Sequence, residues 1–255
     1  MLTNTNSVQI ASKLQCCVII PTYNNARTLQ AVIDDVLQYV GDVIVVNDGA
    51  TDATSDILAS NSEVTVIEYY PNHGKGYALK KGFKCAANKG FRCAITIDSD
   101  GQHLASDIGI FLDKIQQYPD SLIVGSRLLR QANMPGGNTF ANKFSNFWYR
   151  LQTGINLPDT QSGFRLYPLD KMTRMYFITN RYESELEILV RAAWKGINVT
   201  TVPISVYYPP REERISHFRP FVDFFRISIL NTFLTIIALV VVYPVKVISK
   251  LLQIR

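Results

Sequence analysis

Short apolar segments alternate with amphipathic segments through the first hundred residues, and this alternation limits the folds open to the chain. Apolar runs with the length and β-branched content of buried strands lie at residues 16–20, 43–46, 64–69 and 94–97. Segments with apolar residues at helical spacing separate them, at residues 28–39, 52–58 and 77–88. The pattern predicts an α/β fold in which a mostly parallel sheet carries helices on both faces.

The fourth of these strands leads directly into two carboxylates, in the stretch Asp98-Ser99-Asp100-Gly101-Gln102-His103. Residues two apart in an extended segment point to the same side, so Asp98 and Asp100 can face one point. That point lies at the carboxyl end of a strand, where open α/β sheets bind ligands. Two carboxylates and the amide oxygen of Gln102 form an oxygen set that suits Mg²⁺ or Mn²⁺. The alternative is an Asp-rich turn on a solvated surface.

Composition narrows the class of protein further. The 255 residues are 47% hydrophobic and 18% charged, which is enough for one large domain with a full core. The net charge of +5 is mild and no basic run appears early in the chain, so we expect no nucleic-acid partner. The four cysteines lack zinc-ligand spacing and indicate buried, reduced thiols in a cytosolic protein.

Beyond residue 100 the pattern is less regular. It predicts helices at residues 107–118 and 184–194, strands at residues 121–125 and 199–208, and a polar turn followed by a short strand over residues 159–168. Residues 131–146 are rich in Asn, Gly, Ser and Phe, which indicates a mobile loop that runs into a helix near Ala141. Residues 1–14 are polar and indicate a flexible N-terminal arm, without the apolar core of a secretion signal.

The C-terminal segment differs from the rest of the chain. Residues 221–234 carry apolar side chains at helical spacing between a few charges, as in an amphipathic helix at a membrane surface. Residues 227–245 carry no charge, and Lys246, Lys250 and Arg255 follow. This length is borderline for crossing a bilayer, which takes about 20 apolar residues. We expect membrane association, lying on or spanning the bilayer; the alternatives are a buried core helix or an oligomer contact.

Several short motifs together indicate a family. They are residues 19–25 (Ile-Ile-Pro-Thr-Tyr-Asn-Asn), 45–52 (Val-Val-Asn-Asp-Gly-Ala-Thr-Asp), 72–76 (Asn-His-Gly-Lys-Gly), 97–103, 125–127 (Gly-Ser-Arg) and 161–165 (Gln-Ser-Gly-Phe-Arg). In this order, each near a predicted strand end, they resemble family 2 glycosyltransferases of the GT-A fold. The chain is most similar to the dolichyl- and polyprenyl-phosphate sugar synthases. The resemblance covers residues 15–210, which become the predicted catalytic domain, and leaves residues 211–255 as a membrane-associating segment.

The resemblance implies a nucleotide-sugar site. Residues at the ends of the predicted strands would bind the donor: Pro21, Tyr23, Asn25, Asp48, Lys75, Asp98, Ser99 and Asp100. Lys75 precedes a predicted helix between two glycines and can neutralise a diphosphate. The metal ligands would be Asp98, Asp100 and Gln102, with Mg²⁺ or Mn²⁺ bridging the diphosphate.

Further residues are candidates for catalysis and for the acceptor. Besides Asp100, we single out Arg127 and Arg165, because Arg suits bidentate phosphate recognition. Glu185 or Glu183 is a candidate general base if the acceptor is an alcohol. A basic segment follows with Arg214, Ser216, His217 and Arg219. In similar enzymes such residues hold an acceptor phosphate, although for Arg219 a membrane-surface charge is favoured.

The resulting hypothesis is an inverting, metal-dependent glycosyltransferase at the cytoplasmic face of a membrane. It would move a hexose from a UDP- or GDP-sugar to a membrane lipid, with polyprenyl phosphate as the first candidate. A lipid alcohol or glycolipid is the alternative acceptor, and a catalytically silent nucleotide-sugar-binding subunit is the alternative class. A sugar-1-phosphate nucleotidyltransferase ranks lower, because Pro21-Thr22-Tyr23-Asn24 replaces the glycine-rich loop of that class. A homo-oligomer is left open.

Overall fold

A computed structural model describes residues 4–127, 136–208, 210 and 218–252. A seven-stranded sheet forms its centre. Its strands are β1 (Cys16–Thr22), β2 (Val43–Asp48), β3 (Thr65–Tyr69), β4 (Cys93–Thr96), β5 (Leu122–Arg127), β6 (Arg165–Pro168) and β7 (Val199–Ile204). They lie in the order β3-β2-β1-β4-β6-β5-β7. Only β6 runs antiparallel to its neighbours, β4 and β5.

Helices cover both faces of this sheet. They are α1 (Asn4–Lys13), α2 (Ala26–Leu37), α3 (Thr54–Ala59), α4 (Lys75–Asn88), α5 (Ile108–Gln117), α6 (Gly136–Thr153), α7 (Leu169–Met172), α8 (Glu183–Trp194), α9 (Pro220–Ile237) and α10 (Tyr243–Leu252). Every residue of β1 and β2 is buried, because successive side chains enter two separate apolar cores. The predicted α/β fold with a mostly parallel sheet is confirmed.

The strand order creates the crevice in which a site can form. From β1 the chain crosses through α2 to β2 on one side, whereas β4 pairs with β1 on the other side. Loops that leave β1 and β4 therefore separate above the sheet, at the carboxyl ends of the strands. Ligands of open α/β sheets bind at such a switch point.

The N-terminal residues form a helix, which differs from the predicted flexible arm over residues 1–14. Residues 4–13 form α1, and this helix packs against α5 and β1. Its side chains Ser7 and Ala11 are buried. Few of its residues are apolar, so the sequence pattern did not show that one face is covered.

Helix α6 replaces most of the predicted mobile loop over residues 131–146. The helix begins at Gly136, and residues 131–135 lie outside the described residues. The helix expected near Ala141 is therefore present and begins about one turn earlier. Among its described side chains, the buried ones are Asn142, Ser145, Tyr149, Gln152 and Thr153. Four of these five are polar, so apolar periodicity did not show where the helix begins.

The C-terminal segment forms one continuous helix over Pro220–Leu252, with a π-helical turn over Ala238–Val242. It is long and apolar enough to cross a membrane, and only 22% of its most apolar window is buried in the protein. Polar contacts fix its first half, where the Gln152 amide donates to the Asn231 side-chain oxygen and to the Thr235 hydroxyl. No residue of α10 is buried. The exposure argues against the alternative of a core helix.

Candidate active site

A cavity of about 620 Å³ opens at the carboxyl ends of β1, β2 and β4. It brings together all the residues predicted to bind the nucleotide sugar or the metal: Pro21, Tyr23, Asn25, Asp48, Lys75, Asp98, Ser99, Asp100 and Gln102. The predicted catalytic residues Arg127, Arg165 and Glu185 are not among its lining residues. The residues predicted to bind the donor therefore lie together in one cavity. The contacts of Arg127, Arg165 and Glu185 lie outside its lining and are described separately below.

The two loops that leave β1 and β2 are joined to each other. Asn24 adopts a positive φ of 52°, and its side-chain oxygen accepts the Thr51 backbone N–H at 2.7 Å. The Asp52 carboxylate accepts the Ala26 N–H at 3.0 Å. These bonds hold Tyr23 and Asn25 at the cavity wall.

Asn25 is buried in that wall with a fixed orientation. Its side-chain nitrogen donates to the Ser99 hydroxyl at 2.7 Å. Its side-chain oxygen is also buried and has no hydrogen-bond partner within the described part of the chain. This oxygen is therefore suited to accept an N–H or O–H group of a ligand.

Asp48 holds the loop that precedes α4. Its carboxylate accepts the backbone N–H groups of His73 and Gly74, at 2.8 and 2.7 Å, and the Asn72 side-chain N–H at 2.8 Å. Gly49 allows this close approach, because a Cβ there would lie 2.6 Å from the Asn72 nitrogen. The sequence did not predict this loop-holding role, and the predicted contact of Asp48 with the nucleotide-sugar donor stays a prediction.

Lys75 forms the electrostatic centre of the site. Its ammonium lies 2.6 Å from Asp98 Oδ1 and 3.2 Å from Glu185 Oε1. Burial alone would lower the pKa of Lys75, but the charge of Asp98 and then that of Glu185 outweigh it and raise the pKa. Burial would likewise raise the pKa of Asp98, and Lys75 with the other nearby cations lowers it instead. Both groups of this pair are therefore charged near neutral pH.

The pKa of Asp100 is raised, whereas the pKa of His103 is lowered. Burial, together with the negative charge of Asp98, raises the pKa of Asp100 to about 6. Burial lowers the pKa of His103 to about 4, so its imidazole is neutral near pH 7. The His103 ring packs against Phe164, with ring centroids 5.2 Å apart. We assign His103 no ligand role.

The contacts of Arg165 differ from the predicted contact with an acceptor phosphate. Its guanidinium is fully buried and donates to three backbone carbonyl oxygens, those of Thr160, Ser162 and Glu185, at 2.6–2.9 Å. A side chain that is enclosed in this way has no access to an acceptor phosphate. Arg165 instead ties the turn before β6 to the first turn of α8.

Arg127 is also engaged within the protein. Its Nε and Nη2 groups donate to the two carboxylate oxygens of buried Asp159, at 2.6 and 3.0 Å. The predicted bidentate contact with an acceptor phosphate is not available while this pair is formed. Sequence patterns do not show which carboxylate an arginine will meet, and Asp159 lies 32 positions along the chain.

Glu185 contacts Lys75 and not the cavity. Its carboxylate forms an ion pair with that ammonium, and its backbone carbonyl accepts from Arg165. In this structure Glu185 is a partner of Lys75, and its predicted role as a general base stays a prediction. Glu183 is buried at the start of α8 and likewise does not line the cavity.

The basic segment before the C-terminal helix reaches the cavity through Arg219. Arg214, Ser216 and His217 lie outside the described residues. Arg219 and Phe218 line the cavity, although a membrane-surface charge was the favoured interpretation of Arg219. Arg181 and Tyr182 line it too, and sequence reasoning missed both, because they follow no strand end.

The described residues could hold a metal together with a substrate. No group of three or more His, Cys, Asp or Glu side chains within the described ranges could hold a metal ion alone. Asp98, Asp100 and Gln102 nevertheless line one end of the cavity. One oxygen of Asp100 accepts the Gln102 N–H at 3.0 Å. Two carboxylates and an amide suit a hard cation that shares its remaining positions with phosphate oxygens.

Comparison with known proteins places the chain in a family. Residues 17–173 match the model of glycosyl transferase family 2, so the chain belongs to this family and is a glycosyltransferase. It is 30% identical to the UDP-N-acetylglucosamine–dolichyl-phosphate N-acetylglucosaminyltransferase of Methanococcus voltae, with 75% of this chain and 85% of that protein covered. It is 26% identical to the undecaprenyl-phosphate mannosyltransferase of Micrococcus luteus, with 75% and 83% covered.

Solved structures show the same fold. Glucosyl-3-phosphoglycerate synthase from Mycobacterium tuberculosis, crystallised with Mn²⁺, UDP and phosphoglyceric acid, superposes with a TM-score of 0.67. The sequences are 17% identical, and the match covers 94% of this chain and 82% of that one. The predicted GT-A fold is thereby confirmed.

Arg165→Met tests the structural role of Arg165. Three buried carbonyl oxygens would lose their donor, so we expect the free energy of unfolding to fall by about 3–5 kcal/mol. Chemical denaturation of the protein in detergent measures this change. Arg174→Met, at an exposed arginine, should leave the unfolding energy within about 0.5 kcal/mol. An Arg165→Met protein of normal stability would contradict the assignment.

Gly163→Ala tests the Lys75–Asp98 pair. A Cβ at Gly163 would lie 2.6 Å from both Asp98 Oδ2 and Lys75 Nζ, so these side-chain ends must move. We expect sugar transfer to fall on the order of 10- to 100-fold, as for displaced catalytic groups, with a nearly unchanged melting temperature. Gly41→Ala is the matched control, because a Cβ there meets nothing within 4 Å. Equal activity of the two variants would count against a role for the pair.

Proposed function

We propose that the protein transfers a hexose from a UDP- or GDP-sugar to polyprenyl phosphate at the cytoplasmic face of a membrane. One observation carries the proposal: Phe218 and Arg219 line the cavity of the predicted donor residues and directly precede the apolar helix Pro220–Leu252. A lipid-borne acceptor held at this helix would reach the cavity from its membrane side. The relatives named as dolichyl- and undecaprenyl-phosphate transferases support this acceptor class.

The donor would occupy the cavity from end to end. Pro21, Tyr23 and Asn25 would contact the base and ribose, and Asp98, Asp100 and Gln102 would hold a metal at the diphosphate. A bound Mg²⁺ or Mn²⁺ would stabilise the negative charge that develops on the leaving diphosphate. An acceptor oxygen would bond to the anomeric carbon as the carbon–diphosphate bond breaks. The family resemblance supports inversion at that carbon.

The contacts that Asp48, Asp98 and Glu185 already make within the protein favour a phosphate acceptor over an alcohol. Within the described residues, the carboxylates that line the cavity are Asp48, Asp98 and Asp100. Asp48 and Asp98 are already bound by loop N–H groups and by Lys75. An alcohol acceptor needs a base to remove its proton, whereas a phosphate is ionised near neutral pH. Glu185, the candidate base, is paired with Lys75.

The C-terminal helix would hold the enzyme at the membrane. Its inner face is fixed to α6 through Gln152 and Asn231, while large apolar side chains such as Phe221, Phe225 and Val240 are more than 60% exposed. Burying such a surface in lipid is favourable by about 25 cal/mol per Å². We therefore propose that residues 211–255 form the membrane-associating segment of a catalytic domain over residues 15–210.

Nucleotide binding tests the donor site. We expect the full-length protein to bind UDP or GDP with Mn²⁺ in titration calorimetry, and EDTA to weaken that binding at least tenfold. Asp100→Ala should lose the metal-dependent part, because it removes a metal ligand. Asp113→Ala, at an exposed carboxylate of α5, is the control. Binding of neither nucleotide by the wild-type protein would favour a different function for the cavity.

The raised pKa of Asp100, to about 6, predicts a pH dependence. Below this pH the carboxyl group holds a proton that a metal must displace, so Mn²⁺-dependent nucleotide binding should weaken about tenfold per pH unit. It should level off above pH 7. His103→Gln should keep the same dependence, because the pKa of His103, about 4, leaves the imidazole neutral in this range. A flat wild-type profile from pH 5 to 7 would contradict this assignment.

A further inference from the structure

Arg181 lines the cavity and is not among the site residues predicted from the sequence. It precedes α8 and lines the cavity together with Asn72 and Lys75. Its aliphatic stem crosses the turn at Gly74, where a Cβ would lie 2.5 Å from Arg181 Cγ. Its Nη1 group donates to the Asn72 side-chain oxygen at 3.3 Å. The guanidinium therefore lies between the base side of the cavity and the N-terminus of α4.

A chain of hydrogen bonds orients this guanidinium. The Asn72 side-chain nitrogen donates to the Asp48 carboxylate at 2.8 Å and to the Asp48 carbonyl oxygen at 3.0 Å. Because its nitrogen is held in this way, Asn72 directs its oxygen toward Arg181. Asp48 also accepts the Gly74 N–H, so one buried carboxylate positions both the turn and the arginine.

Among the cations that line this cavity within the described residues, Arg181 is the one without an ion-pair partner. The other described cations that line it are Lys75, which pairs with Asp98 and Glu185, and Arg219, which pairs with Asp223. The contact of Arg181 with Asn72 is to a neutral oxygen. Within the described residues, no carboxylate oxygen lies within 4 Å of Arg181.

The balance of charge identifies a ligand. At the end where a metal would bind, the carboxylates Asp98 and Asp100 line the cavity beside Lys75, whose ammonium pairs with Asp98, so this end disfavours an anion until further positive charge is present. Arg181 lies beside it, against Gly74, the residue before α4. The N–H groups of His73 and Gly74 already donate to Asp48, so Arg181 is the group here that can supply this charge. A guanidinium matches two phosphate oxygens with parallel N–H groups.

We infer that Arg181 binds the diphosphate of the nucleotide donor and that Asn72 positions it for this contact. The inference rests on the proposed function, since it names a further binding residue of the same donor site. Lys75 then serves chiefly to hold Asp98 and α8 in place.

The test compares binding of a nucleoside diphosphate with binding of the corresponding nucleoside, which carries no phosphate. With Mn²⁺ present, Arg181→Gln in the full-length protein should weaken binding of UDP or GDP, whichever the wild-type protein binds, about 10- to 100-fold, as expected for lost hydrogen bonds between charged groups. Binding of the uncharged nucleoside should change less than about threefold. Arg181→Lys keeps the charge without the fork and should give an intermediate loss. Arg174→Gln, at an exposed arginine outside the cavity lining, is the matched control.

Other results would overturn the inference. Equal losses for nucleoside and nucleotide in both Arg181 variants would show that Arg181 only supports the fold. Unchanged diphosphate binding with a raised KM for polyprenyl phosphate would assign Arg181 to the acceptor. If the wild-type protein binds neither UDP nor GDP, both the proposed function and this inference fail. If the wild-type protein binds one of them and the Arg181 variants bind it equally well, only this inference fails.

Discussion

The ion pair between Lys75 and Asp98 joins parts of the chain that are distant in sequence. Lys75 opens α4, Asp98 follows β4, and Glu185 supplies a second carboxylate from α8. A charge that is largely removed from water is tolerated only when partners of opposite sign surround it. The three elements must therefore keep their relative positions for the pair to persist. Gly163 completes this arrangement, because any side chain there would meet both members of the pair.

The first turn of α8 links this electrostatic centre to the rest of the fold. Glu185 uses its carboxylate for Lys75 and its backbone carbonyl for buried Arg165. Arg127 and Asp159 form a further enclosed pair close by. Charged side chains on this side of the sheet thus hold loops in place, and the charges available to a substrate are those that line the cavity.

The C-terminal helix, a candidate membrane-associating segment, also contributes to the site. The ring of Tyr182, beside Arg181, contacts that of Phe218 with centroids 5.5 Å apart. Arg219 follows, and its backbone N–H is held by buried Asp223 in the first turn of α9. Contacts of Gln152 with Asn231 fix the helix further along. The contacts of Phe218 and Arg219 therefore help to position both the start of the apolar helix and one part of the cavity wall.

From α2 onward, most strands and helices and the residues at the strand ends could be predicted from the sequence. Those properties depend on local periodicity and on where apolar runs stop, so Asp98, Asp100 and Asp48 could be found by reading along the chain. The sequence did not show helix α1 or the start of α6, whose buried side chains are mostly polar, and it did not show the partner of each charge. Arg165, Arg127 and Glu185 carry the right chemistry for a substrate, yet they meet carbonyl groups, Asp159 and Lys75. Only the tertiary structure decides such partnerships, because the energy of a charge depends on which distant groups surround it after folding.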